Sequence, residues 1–280
     1  MRGHFFMYNN KVYPANSGVI GPGNRSLRYG DGLFETMKMR KGIIVNKEFH
    51  FERLFKGLSL LEFEIPKTLN PAFLEKKINE IAARNRQNNR ARIRLMLFRG
   101  NGGIFDPENL IPNYVIETSS LPGESQLNDN GLVVDVFPGA KKSCDLFSNI
   151  KSNNYLPYVM AGLFAKKNKL GDSIVLNSFE RVCESAVANI FIMNDDTIYT
   201  PPLAEGCVAG IMRRWMLERF DLKKYPVMEK KLSVKDILNA NEFFLTNSIY
   251  YLQWVKKFRD RNYTNEKIKE IYTYIAQNIQ

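Results

Sequence analysis

The sequence predicts an α+β fold of two domains with mixed sheets. Three observations predict it. Apolar residues switch along the chain between a two-residue repeat and a helical repeat. The 280 residues suffice for roughly two domains of about 100–200 residues each. One polar stretch, Ser119 to Gly131, interrupts the pattern near the middle and holds Pro122, Gly123, Asn128, Asp129 and Asn130. The predicted organisation is a small N-terminal α+β domain over 1–118, a linker over 119–131 and a larger domain over 132–280.

The elements follow in order. Phe5–Tyr8 and Lys11–Tyr13 predict a hairpin around Asn9-Asn10, because asparagine tolerates the positive φ of a tight turn. Leu33–Arg40 and Ile43–Val45 predict another around Lys41-Gly42. Phe51, Leu54, Phe55, Leu58 and Leu61 recur at helical spacing and predict a helix over 48–61. Asn70-Pro71 supplies a cap and a proline at the first helical position, opening a helix that runs to about Arg86. Ile93, Leu95 and Leu97 alternate with Arg92, Arg94 and Met96, which predicts a half-buried strand, and Tyr114–Thr118 predicts the next. Beyond the linker, strands are predicted at 132–137, 173–176, 181–184, 189–193 and 197–200, with a helix over 154–169 closed by Gly171. A helix over 211–220 comes next. Ser233-x-x-Asp236 caps a short one. Residues 243–255 read mostly as strand, and a terminal helix starts near Asn265.

Composition narrows the function. A net charge of +11 is compatible with a phosphate-rich partner. The basic pairs, such as Lys76-Lys77, Lys141-Lys142 and Lys166-Lys167, are nevertheless scattered, and no nucleic-acid recognition motif accompanies them. Their simplest reading is solvated surface, or a field that steers an anionic substrate. Cys144, Cys183 and Cys207 have no C-x-x-C spacing, so free thiols in a reducing cytoplasm are expected. Only His4 and His50 are present, which argues against a His-rich metal site. No apolar run reaches the ~18 residues of a membrane helix. Residues 1–18 do not read as a signal peptide.

Two segments carry chemistry. Asn149-Ile150-Lys151-Ser152-Asn153-Asn154-Tyr155 offers an amine at the end of a β-rich run. Cys183-Glu184-Ser185-Ala186-Val187-Ala188-Asn189 offers a carboxylate among small residues at a strand junction. An amine able to form a Schiff base and an acid able to keep a pyridine nitrogen protonated are what pyridoxal 5'-phosphate (PLP) requires of a protein. Gly206-Cys207-Val208-Ala209-Gly210-Ile211-Met212 then runs from a loop into a helix, where backbone N–H groups suit a phosphate.

Together with Tyr29-Gly30-Asp31-Gly32-Leu33-Phe34-Glu35-Thr36 and His50-Phe51-Glu52-Arg53-Leu54, these segments resemble the fold-type IV PLP enzymes, the class IV aminotransferases. That family holds branched-chain and D-amino-acid aminotransferases and 4-amino-4-deoxychorismate lyase. The resemblance implies a D-amino-acid-aminotransferase-like architecture and a homodimer with each active site between two domains. It makes Lys151 the Schiff-base lysine and general base, Glu184 the partner of the pyridine nitrogen, and Arg53 a phosphate ligand. Gly210, Ile211, Met212 and Ser248 fall at the phosphate, with Thr246 beside Ser248. Ser185 and Asn189 fall in the segment after the acid. Met212 replaces a threonine common in the transaminases, which removes a hydroxyl but leaves the N–H. Tyr155 would place its phenol near the cofactor, one helical turn beyond Lys151 if that segment is helical; core packing is the alternative.

Two reactions compete. Thr36, after Phe34-Glu35, resembles the lyases, where a hydroxyl assists proton movement. Arg99-Gly100-Asn101-Gly102-Gly103 resembles their Arg-Gly-x-Gly-Gly loop, although Ile104-Phe105-Asp106 departs from the usual continuation. Arg99 reads as a ligand for a substrate carboxylate or as a strand-end arginine facing solvent, and Phe34 as a substrate contact. The expectation is aminodeoxychorismate lyase, releasing pyruvate and p-aminobenzoate for folate synthesis. The rival is an amino-acid aminotransferase. Outside catalysis stands a basic RNA- or anion-binding protein on an inactive scaffold.

Overall fold

Alternating apolar residues build two sheets, one in each of the two units into which the chain divides: residues 1–124 with 150–154, and residues 125–149 with 155–280. The computed structural model describes residues 2–108, 110–123, 126–221 and 223–279. Glu124 and Ser125 of the predicted linker lie outside the described residues.

In the first unit, β1 (Phe5–Tyr8) and β2 (Lys11–Pro14) form the expected hairpin, with Asn9 and Asn10 at φ of 43° and 68°. A short helix not expected from the sequence, α1 (Arg25–Tyr29), is capped by Asn24, whose side chain accepts from the N–H groups of Ser26 and Leu27. Then come β3 (Gly32–Arg40), β4 (Ile43–Ile44), α2 (Lys47–Leu60), α3 (Pro71–Arg84), β5 (Arg90–Phe98) and β6 (Asn113–Ser120). The sheet order is β2-β1-β6-β5-β3-β4, antiparallel throughout. Leu33, Met37 and Met39 pack from one face of β3 against Leu54 and Leu58 of α2 and Leu74, Ile78 and Ile81 of α3. Each such buried side chain contributes about 1.5–3 kcal/mol. Alternation puts Phe34, Thr36 and Lys38 on the opposite face of β3.

Residues 150–154 return to the start of β3. The Phe34 N–H donates to the Lys151 carbonyl at 2.9 Å, and the Asn153 N–H donates to the Gly32 carbonyl at 2.9 Å. Glycine is needed at 32: a Cβ there would stand 2.5 Å from the Leu97 carbonyl oxygen and 2.7 Å from Asn153 Nδ2.

The second unit holds β7 (Leu132–Lys142), α4 (Leu156–Lys167), β8 (Asp172–Asn177), β9 (Val182–Ser185), β10 (Asn189–Asn194), β11 (Thr197–Thr200), α5 (Ile211–Glu218), β12 (Val227–Glu229), α6 (Val234–Asn239), β13 (Glu242–Asn247), β14 (Tyr251–Phe258), β15 (Arg261–Asn262) and α7 (Glu266–Asn278). Its sheet runs β12-β11-β10-β13-β14-β7-β8-β9, with β15 on β14. The pairs β11–β12, β14–β7 and β7–β8 are parallel and the rest antiparallel, so this sheet is mixed. Ile174, Val182, Ile190, Phe243, Leu245 and Val255 fill its core.

Two local expectations change. The strand predicted over 243–255 is two strands, because Asn247 Oδ1 accepts from the N–H groups of Ile249 and Tyr250 and turns the chain. Helix α4 starts at Leu156 rather than 154, with Pro157 in its first turn. Residues 151–154 are bonded to β3 as extended backbone, so Tyr155 is not one helical turn beyond Lys151. Among the described residues, no helix is long and apolar enough to cross a membrane.

Candidate active site

Lys151 is held through its carbonyl by the N–H of Phe34, and its Nζ lies 4.8 Å from the centre of the Phe34 ring. The guanidinium carbon of Arg94 lies 3.9 Å from the same ring. Thr36 follows on that strand face, half-buried and opposite Arg94 in register. The first unit thus gathers Lys151, Phe34 and Thr36.

Glu35 falls on the opposite, core face of β3, where an unpaired carboxylate would be very costly. It is paired on both oxygens. Arg53 of α2 donates from Nε at 2.8 Å and from Nη2 at 2.5 Å, and His50 Nδ1 stands 2.6 Å from Oε2. His50 and Arg53 are three residues apart, so one helix face presents both. Burial alone would raise the Glu35 carboxyl, but Arg53 and His50 outweigh it and bring its pKa down to about 2. Burial lowers the His50 imidazole despite Glu35, with Arg53 and Lys151 adding to the effect. His50 Nε2 is buried without a hydrogen-bond partner.

In the second unit, Glu184 on β9 is only 3% exposed. The Tyr158 hydroxyl donates to its Oε1 at 2.5 Å, and the Val208 N–H donates to its Oε2 at 3.0 Å. Lys142 Nζ stands 3.6 Å from Oε1 and 5.1 Å from the Tyr158 ring centre, and it donates to the Ser148 carbonyl at 3.2 Å. Tyr155 packs on Tyr158 with ring centres 4.4 Å apart. Burial, then Glu184, pushes the Tyr158 phenol far above its ordinary range, so it remains an O–H donor. Burial pushes the Cys207 thiol up to about 12 and raises Cys183 further, so both thiols stay protonated near neutrality.

Val208 belongs to the turn that enters α5. The Asn149 side chain donates to the carbonyls of Leu203 at 2.9 Å and Cys207 at 2.7 Å, while its own carbonyl accepts from Ala209 at 2.9 Å. Asn189 Nδ2 donates to the Val208 carbonyl at 2.9 Å. Gly210 is the N-cap of α5, and a Cβ there would fall 1.7 Å from Asn189 Oδ1. Ile211 and Met212 open the helix; the first N–H groups of a helix have no intrahelical acceptor. Thr246 pairs with Asn189 in register, and its buried Oγ1 has no partner. Ser248 lies in the turn after β13.

Profile comparison gives the decisive observation: the amino-transferase class IV family matches residues 32–258. The chain belongs to that family. It is 28% identical over 232 residues to an aminodeoxychorismate lyase of Vibrio harveyi, covering 81% of this chain and 83% of that protein. It is 26% identical over 267 residues to a putative branched-chain-amino-acid aminotransferase of Methanocaldococcus jannaschii, covering 94% and 91%. Its fold matches the branched-chain aminotransferase of Thermoproteus uzoniensis with a TM-score of 0.86 at 21% identity, over 97% of this chain and 93% of that one. Class IV aminotransferases are PLP-dependent, and this chain is a PLP-dependent enzyme.

The donor set of this class IV enzyme fits that cofactor. The first unit holds a lysine amine and an arginine, and the second holds a buried carboxylate, a helix N-terminus and the partnerless hydroxyl of Thr246. Two predicted ligands are engaged inside the protein. Ser185 Oγ donates to Asp172 at 2.7 Å and to the Ala188 carbonyl at 3.1 Å, beneath a carboxyl that burial raises. Arg99 donates to Asp31 at 2.7 Å and to the carbonyls of Leu61 and Glu62, and its guanidinium lies 4.3 Å from the Phe63 ring. Its burial corrects the solvent-facing reading, and these bonds join it to a network that includes the Arg25–Asp31 pair. Glu35, His50, Tyr158, Asn149 and Lys142 carry roles here that no sequence signal had assigned to them. Lys142 was hidden in a basic pair read as solvated, yet its side chain is 12% exposed.

Proposed function

We propose that this enzyme is an aminodeoxychorismate lyase, eliminating pyruvate from 4-amino-4-deoxychorismate to leave p-aminobenzoate. The observation that carries the reading is Thr36: it stands two residues from Phe34 on one strand face, and Phe34 lies against the Lys151 amine. A hydroxyl on the strand face that also carries the ring against the amine suits a reaction that must remove one proton and supply another. The lyase relative at 28% identity supports the same choice.

Bound PLP supplies an electron sink, because its protonated ring nitrogen accepts the electron pair left when a substrate proton departs. The chain's residues do the rest. Glu184 would hold the ring nitrogen protonated. Arg53, braced by Glu35, would bring positive charge to the phosphate, and the N–H groups of Ile211 and Met212 with the hydroxyls of Thr246 and Ser248 would offer it donors. Lys151 would hold the aldehyde end, and its amine would serve as the base for the proton on the substrate's amine-bearing carbon. The neighbouring carbon–oxygen bond then breaks. The enolpyruvate leaving group takes a proton, delivered by way of Thr36, and becomes pyruvate while the ring becomes aromatic.

Product analysis tests the reading. Aminodeoxychorismate should give pyruvate and p-aminobenzoate in equal amounts with no keto-acid acceptor. Efficient amino transfer from branched-chain or D-amino acids without elimination would establish the aminotransferase instead.

A further inference from the structure

Glu184 sits where three elements converge on one carboxylate. Tyr158 comes from α4, Lys142 from the end of β7, and the Val208 N–H from the turn before α5. A buried carboxylate gains proton affinity unless donors and cations stabilise its ionised form. The Tyr158 hydroxyl and the Lys142 ammonium both converge on Oε1, and Lys142 is pinned there by the Ser148 carbonyl. A hydroxyl donor and a side-chain cation at one oxygen both favour the carboxylate over the acid.

We propose that Tyr158 and Lys142 are positioning residues that keep Glu184 ionised, so that the proton shared between Glu184 and the cofactor's ring nitrogen resides on the nitrogen. The inference rests on the assignment of Glu184 to that nitrogen. A carboxylate without these two partners would draw the proton to itself, and the ring would lose the charge that makes it an electron sink. Lys142 acts through its cation, which stands 3.6 Å from Oε1 and stabilises the negative charge there.

The test uses the full-length holoenzyme reconstituted with PLP labelled with ¹⁵N in the ring. The ring-nitrogen signal is recorded at one neutral pH for the wild type, Tyr158→Phe, Lys142→Met and Lys142→Arg. The wild type should give a protonated-pyridine signal. Tyr158→Phe and Lys142→Met should each move it toward the unprotonated value, and Lys142→Arg should restore it. Tyr158→Phe removes a single oxygen, so it reports even where Lys142→Met fails to fold. A protonated wild type with both variants unchanged overturns the proposal alone. An unprotonated wild type overturns the assignment of Glu184 to the nitrogen, and the proposal with it.

Discussion

Replacing Glu35 by glutamine removes the charge around which Arg53 and His50 are organised. The carboxyl is fully buried and its pKa is about 2, against an ordinary 4.5. A difference of that size corresponds to about 3 kcal/mol of native-state stabilisation at pH 7. The independent expectation for losing one partner of a buried ion pair is about 3–5 kcal/mol. The sign follows from the depressed folded pKa. The stabilisation is complete above the unfolded carboxyl's pKa and is lost as pH falls through the folded one. About half should remain near pH 3. His50 acts in the same sense, since burial lowers its folded pKa and the unfolded chain takes up the proton first, below about pH 6.5. Urea unfolding followed by tryptophan fluorescence, run on wild type and Glu35→Gln at pH 7 and pH 3, measures both effects. The expected gap is about 3 kcal/mol at pH 7 and about half that at pH 3. A gap under about 0.5 kcal/mol at pH 7, the range of ordinary surface changes, would refute the reasoning. So would a gap that does not shrink in acid.

Other outcomes follow from the same geometry. Lys151→Ala should lower turnover by at least about 10²–10⁴-fold through loss of the general base, with folding retained by circular dichroism. Gly210→Ala must displace Asn189, whose Oδ1 would otherwise lie 1.7 Å from the new Cβ; PLP affinity, measured by fluorescence titration of the apoenzyme, should fall by about 10-fold or more, equivalent to about 1.4 kcal/mol. Arg99→Met should lower unfolding stability by about 2–4 kcal/mol while leaving KM nearly unchanged, because it breaks bonds to Asp31 and the α2 exit rather than a substrate contact. A large rise in KM at unchanged stability would instead identify Arg99 as a substrate ligand.

Much of the fold was legible because it rests on local rules. Asn9-Asn10, the Asn70-Pro71 cap and the Ser233-x-x-Asp236 box each specify a turn or helix start within a few residues. What escaped depends on distant partners. The start of α4 is set by bonds from residues 150–154 to β3, more than a hundred positions earlier. Arg99 reads as a strand end, yet Asp31 and two carbonyls beyond α2 capture it. Lys142 and Tyr158 become meaningful only when β7, α4 and β9 meet at Glu184. The motif residues could be found as segments. That Glu35, His50, Asn149 and Lys142 brace them could not be read, because hydrogen bonds between remote elements leave no periodic trace.

Borohydride reduction of the PLP-loaded protein, followed by peptide mapping, tests the central claim most directly. The pyridoxyl group should be found on Lys151, with Lys151→Ala taking up none. Its recovery on another lysine, or a wild type that incorporates none, would contradict the account.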